Sequence, residues 1–317
     1  MNVLKTMFAV CLMMLAPQLH AQSWPTRPVR VIVPFAAGGN TDSIARLTAE
    51  RLSKIFNQQF IVENRAGAGG AIAAETVARA EPDGYTLFLS SITQVSVLPF
   101  LQKVSYDSVK DFAPVSIIGS NGLILGISAS LPVSTFPELI EYIRKQPTRF
   151  PYATAGVGAL SHLAVVELAR RAKLEVQDVN YKGGALAMAD VLSGQVPLYF
   201  GNLSDYMGHA GNPRLKLLAT SSSRRTPKFP ELPTVAEAGY PGYEVVTWNG
   251  LLAPAHTPAP IIDRLAREIQ ALTREPEFIA GLDKLGVDPV GNTPAQFAET
   301  IRADMKLYQT LLQPAGN

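Results

Sequence analysis

Val29-Arg30-Val31-Ile32-Val33-Pro34-Phe35-Ala36-Ala37-Gly38-Gly39-Asn40-Thr41-Asp42 is the stretch that decides how this chain folds. Its first half is a β-branched run, the mark of a strand buried on both faces. Gly38-Gly39 breaks the run, and Thr41 is placed to cap a helix that follows. From Asp42 to Phe56 the apolar residues Ile44, Leu47, Leu52 and Ile55 recur at helical spacing, and Glu50 and Lys54 form an i,i+4 pair on the outer side. A strand that turns through glycines into an amphipathic helix is the unit from which parallel sheets are built.

The same rhythm extends outward. Phe60 to Glu63 reads as a short strand, Ile72 to Ala80 as a helix and Tyr85 to Ser90 as an apolar strand. Later, a strand ending near Tyr152 leads through Thr154 to Gly158 into a helix from Ala159 to Ala172. Val176 to Tyr181, Leu186 to Leu192, Leu198 to Phe200 and Leu215 to Thr220 continue the alternation. The pattern predicts an α/β fold with mixed, mostly parallel sheets, helices on both faces and right-handed crossovers. Two long extended stretches, Val115 to Ser128 and Tyr243 to Ala253, read as strands passing between two lobes. The first lobe is then discontinuous, residues 22–124 and 228–317, with a second lobe, 125–227, inserted. Pro227 to Pro241 reads as a surface connection, and Pro260 to Leu312 as helices punctuated by Pro276, Pro289 and Pro294.

Composition fits this size and class. The chain has 317 residues, 47% of them hydrophobic and 17% charged, with 28 Lys+Arg against 26 Asp+Glu. A chain of this length buries enough surface to need no staples. The near-neutral balance removes any general electrostatic case for nucleic acid or anionic lipid as partner. Residues 1–21 carry Lys5, then the apolar run Met7 to Ala16, then Leu19-His20-Ala21. That is the layout of an export signal cleaved after Ala21, its run too short to span about 30 Å of hydrocarbon. Cys11, the sole cysteine, lies inside it, so a mature chain from Gln22 has no disulfide, thiol nucleophile or cysteine metal site. The reading is an exported protein in a periplasm-like compartment.

Catalytic signatures are missing from the sequence. It holds no nucleophile elbow, phosphate-binding Walker loop or zinc-protease motif. His162, His209 and His256 have no second His or Cys at ligand spacing, so no metal site and no cofactor are expected. Ser161 and His162 are adjacent on a helix, where neighbours point about 100° apart and cannot form a nucleophile–base pair. The glycine-rich strand-to-helix turns stand out instead: the opening one, and Ala153-Thr154-Ala155-Gly156-Val157-Gly158-Ala159-Leu160-Ser161-His162. Such turns lie at the carboxyl ends of parallel strands, and the free N–H groups of each helix start make an anion site. Neither turn contains Lys or Arg, which suits a carboxylate held by main-chain amides, Thr41, Thr154 and Ser161 better than a phosphate. The alternative is that the glycines serve tight turns only. Asp42 reads as a helix-dipole partner or a functional acid, and Trp248 and Tyr181 each as a ligand-facing ring or plain core.

Several motifs together resemble one family. Pro34-Phe35-x-x-Gly38-Gly39-x-x-Asp42, Val62-Glu63-Asn64-Arg65-x-Gly67-x-Gly69-Gly70 and Pro82-Asp83-Gly84-Tyr85-Thr86-Leu87 are similar to those of the tripartite tricarboxylate transporter solute receptors, also called Bug proteins. Asn180-Tyr181-Lys182-Gly183-Gly184, Leu232-Pro233-Thr234-Val235-Ala236-Glu237-Ala238-Gly239 and Trp248-x-Gly250-Leu251-Leu252-Ala253-Pro254 extend the resemblance over the mature chain. The resemblance implies a two-lobed periplasmic binding protein that closes like a flytrap on a small di- or tricarboxylate or aromatic acid. It implies delivery to membrane permease subunits rather than chemistry, from a monomer. Carried over, the ligand contacts are Phe35, Gly39, Asn40, Thr41, Asp42, Ser90, Ser91, Thr154, Gly156, Gly158, Ser161 and His162, with Tyr181, Asn202 and Trp248 added. The alternatives are a ligand-sensing partner of a membrane kinase and a hydrolase using Ser161. Ala37 departs from the Pro often found there, and Pro197 and Gly201 stand where many members carry Asp. The missing acid at Gly201 argues against recognition of an amino group and for a plain organic acid.

Overall fold

The computed structural model describes residues 24–156 and 158–312; the expected export signal lies outside them. Its elements begin with β1 (Val29–Val33), α1 (Asn40–Phe56), β2 (Phe60–Asn64), α2 (Ala71–Ala78) and β3 (Thr86–Ser91). A π-helical turn at Thr93–Val97 runs into the short α3 (Leu98–Leu101), and the 17-residue β4 (Phe112–Ser128) follows. Then come α4 (Phe136–Arg144), β5 (Phe150–Thr154), α5 (Leu160–Ala172), β6 (Val176–Asn180), α6 (Gly184–Ser193), β7 (Leu198–Asn202), α7 (Leu203–Met207) and β8 (Leu215–Thr220). The chain ends with β9 (Val246–Pro254), α8 (Ala259–Leu272), α9 (Pro276–Lys284), β10 (Asp288–Pro289) and α10 (Pro294–Leu312).

The strands follow the order β2-β1-β3-β9-β4-β7-β5-β6, with β8 and β10 also paired to β4. Within each strand–helix module the ladders are parallel: β1 with β2 and β3, and β5 with β6 and β7. The strands that join the modules are antiparallel: β9 with β3 and β4, and β4 with β7 and β8. β4 belongs to both modules. Its first part, Phe112 to Gly122, pairs with β9, and its last part, Leu123 to Ser128, with β7 and β8. β9, by contrast, stays within the first module, so only one of the two long strands expected to cross does so as a ladder. The return crossing is a loop held by Ser221, whose N–H bonds Leu123 O and whose carbonyl accepts from Val245 N.

Side-chain alternation explains why both faces carry helices. Ile32, Phe88, Trp248 and Leu252 pack with α2 and α10, whereas Val31, Val33, Leu89, Leu251 and Ala253 pack with α1, α8 and α9. In the second module Leu123, Leu125, Tyr152 and Phe200 pack with α4 and α5, and Ile124, Ala153 and Tyr199 with α6 and α7. Apolar residues from a strand reach both layers, the signature read at Val29–Val33.

Three expectations need correction. The first helix begins at Asn40 with Gly39 as its N-cap, so Thr41 lies inside the helix and caps nothing. Its buried face is Ile44, Ala45, Thr48, Ala49 and Leu52, while Ile55 in the last turn is 37% exposed. The segment Pro227 to Pro241 is more than a surface connection. Phe229, Leu232 and Val235 are buried, and Thr234 bridges to Thr220 at the end of β8.

Candidate functional site

The turns after β1 and β5 and the start of α6 face one another across a narrow cleft of ≈ 30 Å³. Phe35, Gly39, Asn40 and Thr41 line it from the first module, with Ser91, Thr93 and Thr247 beside them. From the second module come Ala155, Ala159, Leu160, Ser161, Gly184, Asn202 and Asp205.

The helix starts give this cleft its chemistry. α1, α5 and α6 have Gly39, Ala159 and Gly183 at their N-caps, and none has a side-chain cap hydrogen bond. Ordinarily a Ser, Thr, Asp or Asn there satisfies one of the orphan N–H groups. α4, remote from the cleft, has the full device, with Thr135 accepting from Glu138 N and Glu138 accepting from Thr135 N. Three helix starts left without such caps and aimed at one space present free N–H donors and converging positive dipole ends. No Lys or Arg lines the space, and the one charged side chain among the lining residues is Asp205.

Neighbouring side chains hold these turns in shape. Asp42 Oδ2 accepts from Gly38 N at 2.9 Å and from Arg46 Nε at 3.0 Å, and Oδ1 accepts from Asn64 Nδ2 at 2.8 Å. Burial alone would raise its pKa, but these bonds outweigh it and hold Asp42 below its ordinary value. Its carboxylate is thereby committed to bracing the turn beneath the cleft. Ser161 Oγ accepts from Ala155 N at 2.9 Å and lies 3.1 Å from Thr154 Oγ1, which donates to Gly156 O at 2.9 Å. His162 turns away: its ring stacks on Tyr152, its Nδ1 accepts from Gly158 N at 3.4 Å, and burial lowers its pKa so that it is neutral at pH 7. Ser161 and His162 therefore sit side by side without facing each other, as helical spacing requires.

The other expected residues fall in three places. Ser91 lines the cleft, while Ser90 is wholly buried behind it, and both serve Gln94, whose Oε1 accepts from Ser91 N at 3.1 Å and Ser91 Oγ at 3.0 Å. Gly156 and Tyr181 line an adjoining depression of ≈ 290 Å³ that shares Phe35 and Ala155 with the cleft. Tyr181 donates to Asp190. Trp248 lies on the opposite side of β9 from Thr247, edge-on to Phe297, with Nε1 donating to Asp304 at 2.8 Å. The structure thus places Thr247 on the cleft and Trp248 in the layer beneath α10. Asn249, opposite Ser91 in the ladder, is wholly buried, and neither atom of its amide has a partner among the described residues.

Polar contacts join the two modules around the cleft. Ser204 Oγ donates to Asn40 Oδ1 at 2.9 Å, Asn40 Nδ2 lies 3.4 Å from Asn121 Oδ1, and Asn121 Nδ2 lies 3.3 Å from Asn202 Oδ1. Ala36 N also bonds Lys182 O at 3.1 Å. The two walls are in contact, a closed arrangement.

Sequence reasoning missed Thr93, Gly184, Asp205 and Thr247. Gly184 was legible as part of a glycine pair, but nothing local marked Asp205. It follows β7 by three residues on a five-residue helix, and only the fold brings it to the wall. Gly201, where an acid was looked for, has no room for one: a Cβ there would meet the Tyr199 ring at 2.0 Å. The acid in this wall is Asp205 instead. Among the described residues no group of three or more His, Cys, Asp or Glu is arranged to hold a metal, and no helix is long and apolar enough to cross a membrane.

Comparison with known proteins gives the family and the fold. Residues 44–316 match the family model described as the tripartite tricarboxylate transporter family receptor. Protein BugT of Bordetella pertussis is 32% identical, over 95% of this chain and 93% of BugT. A protein of R. palustris solved with adipate is 34% identical, with a TM-score of 0.87 over 91% of this chain and 97% of that one. MatC from Rhodopseudomonas palustris, solved with bound malate, is 30% identical, with a TM-score of 0.87 over 92% and 100%.

Proposed function

This chain belongs to the tripartite tricarboxylate transporter receptor family, and on that premise we propose that it is a periplasmic receptor that captures a small carboxylate between two lobes and hands it to a membrane permease. The observation that carries the reading is the convergence of three helix starts without side-chain caps on one cleft without a cation. Carboxylate oxygens accept from such N–H groups, and the fixed dipoles need no reorganisation. A di- or tricarboxylate or an aromatic acid suits a cleft with donors on both walls, because a ligand that bridges them favours the closed state.

In this reading Phe35, Gly39, Asn40, Thr41, Ser91, Ser161 and Asn202 touch the ligand directly or through water. Asp42, Ser90, Thr154, Gly158 and His162 set the shape of the turns. Gly156 and Tyr181 border the adjoining depression, and Trp248 supports β9 from behind. The first division lies near residues 124/125, and the second falls later than 227/228, where Ser221 and Val245 meet, because Phe229 and Leu232 pack with the second module. The mature chain begins after Ala21 and acts as a monomer without catalysis.

A thermal-shift screen of carboxylates tests the proposal. A ligand at ~100 times its Kd adds about 2.7 kcal/mol, which raises the melting midpoint of a protein this size by several degrees. Gly39→Val is the control. A Cβ at residue 39 has Ala36 O at 3.9 Å and Gly184 N at 4.0 Å as its nearest neighbours, and the backbone there is extended, so the variant folds but fills the cleft. It should lose the shift while keeping its unliganded midpoint. Normal binding by this variant would remove the first turn from the site.

A further inference from the structure

The cleft wall contributed by the second lobe contains an acid in a setting otherwise built to attract anions. Asp205 Oδ2 accepts from Tyr199 Oη at 2.9 Å and from Asn202 N at 3.1 Å. Asn202 N–H is the start of α7, so half of the carboxylate has a structural use as the third residue of a capping box. Oδ1 has no partner among the described residues, and Asp205 lines the cleft. The group is held firmly. Tyr199 is wholly buried and fills the space beside Gly201, and Tyr206, stacked on Tyr199, donates to Tyr199 O at 2.6 Å. Gly184 leaves room for the acid, since a Cβ there would stand 2.4 Å from Asp205 Oδ2.

A carboxylate fixed in this way repels a second carboxylate that approaches it, and accepts a hydrogen bond from a donor that does. We infer that Asp205 is a specificity-determining residue that selects carboxylates bearing a hydroxyl or ammonium donor over their donor-less parents, with Oδ1 accepting from that donor. The inference rests on the carboxylate-receptor reading of the same cleft and narrows its ligand class. Burial raises Asp205 to about 6, against the pull of its bonds from Tyr199 and Asn202, which leaves it ionised and accepting at neutral pH. A ligand that covers Oδ1 without offering it a donor leaves that acceptor unpaired, the kind of mismatch that discriminates strongly.

The test is a matched series at pH 7.5 by isothermal calorimetry and thermal shift: succinate, malate and aspartate, and glutarate, 2-hydroxyglutarate and glutamate. Within each set the carbon count and the two carboxylates are constant, and only the donor changes. The expected result is that the wild-type protein binds a hydroxy or amino member at least tenfold more tightly than its parent. Asp205→Asn keeps an oxygen to accept from Asn202 N and Tyr199 Oη, and should shrink that ratio to about threefold or less, mainly because the parent binds better. Tyr199→Phe, which frees Oδ2 without removing the acid, should narrow the ratio partway and serves if Asp205→Asn does not fold. Equal affinity for parent and donor-bearing ligands in the wild-type protein, or an unchanged ratio in Asp205→Asn, overturns the inference while leaving the receptor reading intact. Binding of no member of either set overturns the inference for this ligand class and leaves the receptor reading to the wider carboxylate screen.

Discussion

Trp248 shows how much a single position can hide. Its sequence context allowed either a ring against ligand or a ring in the core, because alternation along a strand fixes which residues share a face but not which face looks inward. The structure pairs its indole with Asp304, and burial of that acid raises it to about 6, its bond from Trp248 opposing the rise. A folded-state pKa above the unfolded value means that the native protein favours the protonated form. Stability is then lost as pH rises from about 4 to about 6, and the penalty is fully present above that. Asp205 acts in the same direction. Asp304→Asn, which keeps the oxygen that Trp248 Nε1 bonds, should therefore raise stability at pH 7.5 by on the order of 1 kcal/mol after allowance for solvent screening, and change nothing at pH 4. Melting curves at the two pH values check both the size and the sign. Residues such as Asp205, Thr93 and Thr247 were invisible in the sequence for the same reason: each is an ordinary polar residue locally, and distant chain segments turn it into a wall.

At the scale of elements, much was legible. The strand–glycine–helix units appeared within a few residues of their observed bounds because buried parallel strands and amphipathic helices carry strong periodic signals. β8 falls at Leu215–Thr220, as read, and the three prolines divide the final helices where the chain divides. α4 went unread although Thr135 and Glu138 spell a capping box before its apolar face. Its complete cap, remote from the cleft, separates stability from binding at this helix. Thr135→Ala should destabilise the fold by about 1 kcal/mol and leave carboxylate affinity unchanged, measured by urea unfolding beside calorimetry. A matching loss of affinity would show that the two tasks are not separate.

The whole molecule turns on few connections. β4 threads both modules, and its register shifts near Ser116 and Gly126 break an otherwise stiff ribbon. Contacts that exist only when the walls meet, such as Ser204 to Asn40, add to the closed state alone. Ser204→Ala should cost about 0.5–1.5 kcal/mol of binding, read as a roughly two- to tenfold faster ligand release in stopped flow with an unchanged capture rate. The two-lobed plan and the facing turns could be read before any coordinates, whereas the pairing of β9 wholly with the first module could not, since an extended stretch does not announce its neighbours. The missing lysines and arginines in the cleft reach beyond the molecule. A site that grips with its own peptide groups, deep between two walls, offers dissolved ions few exposed charges to shield, so its hold on an acid should change little between dilute and concentrated salt.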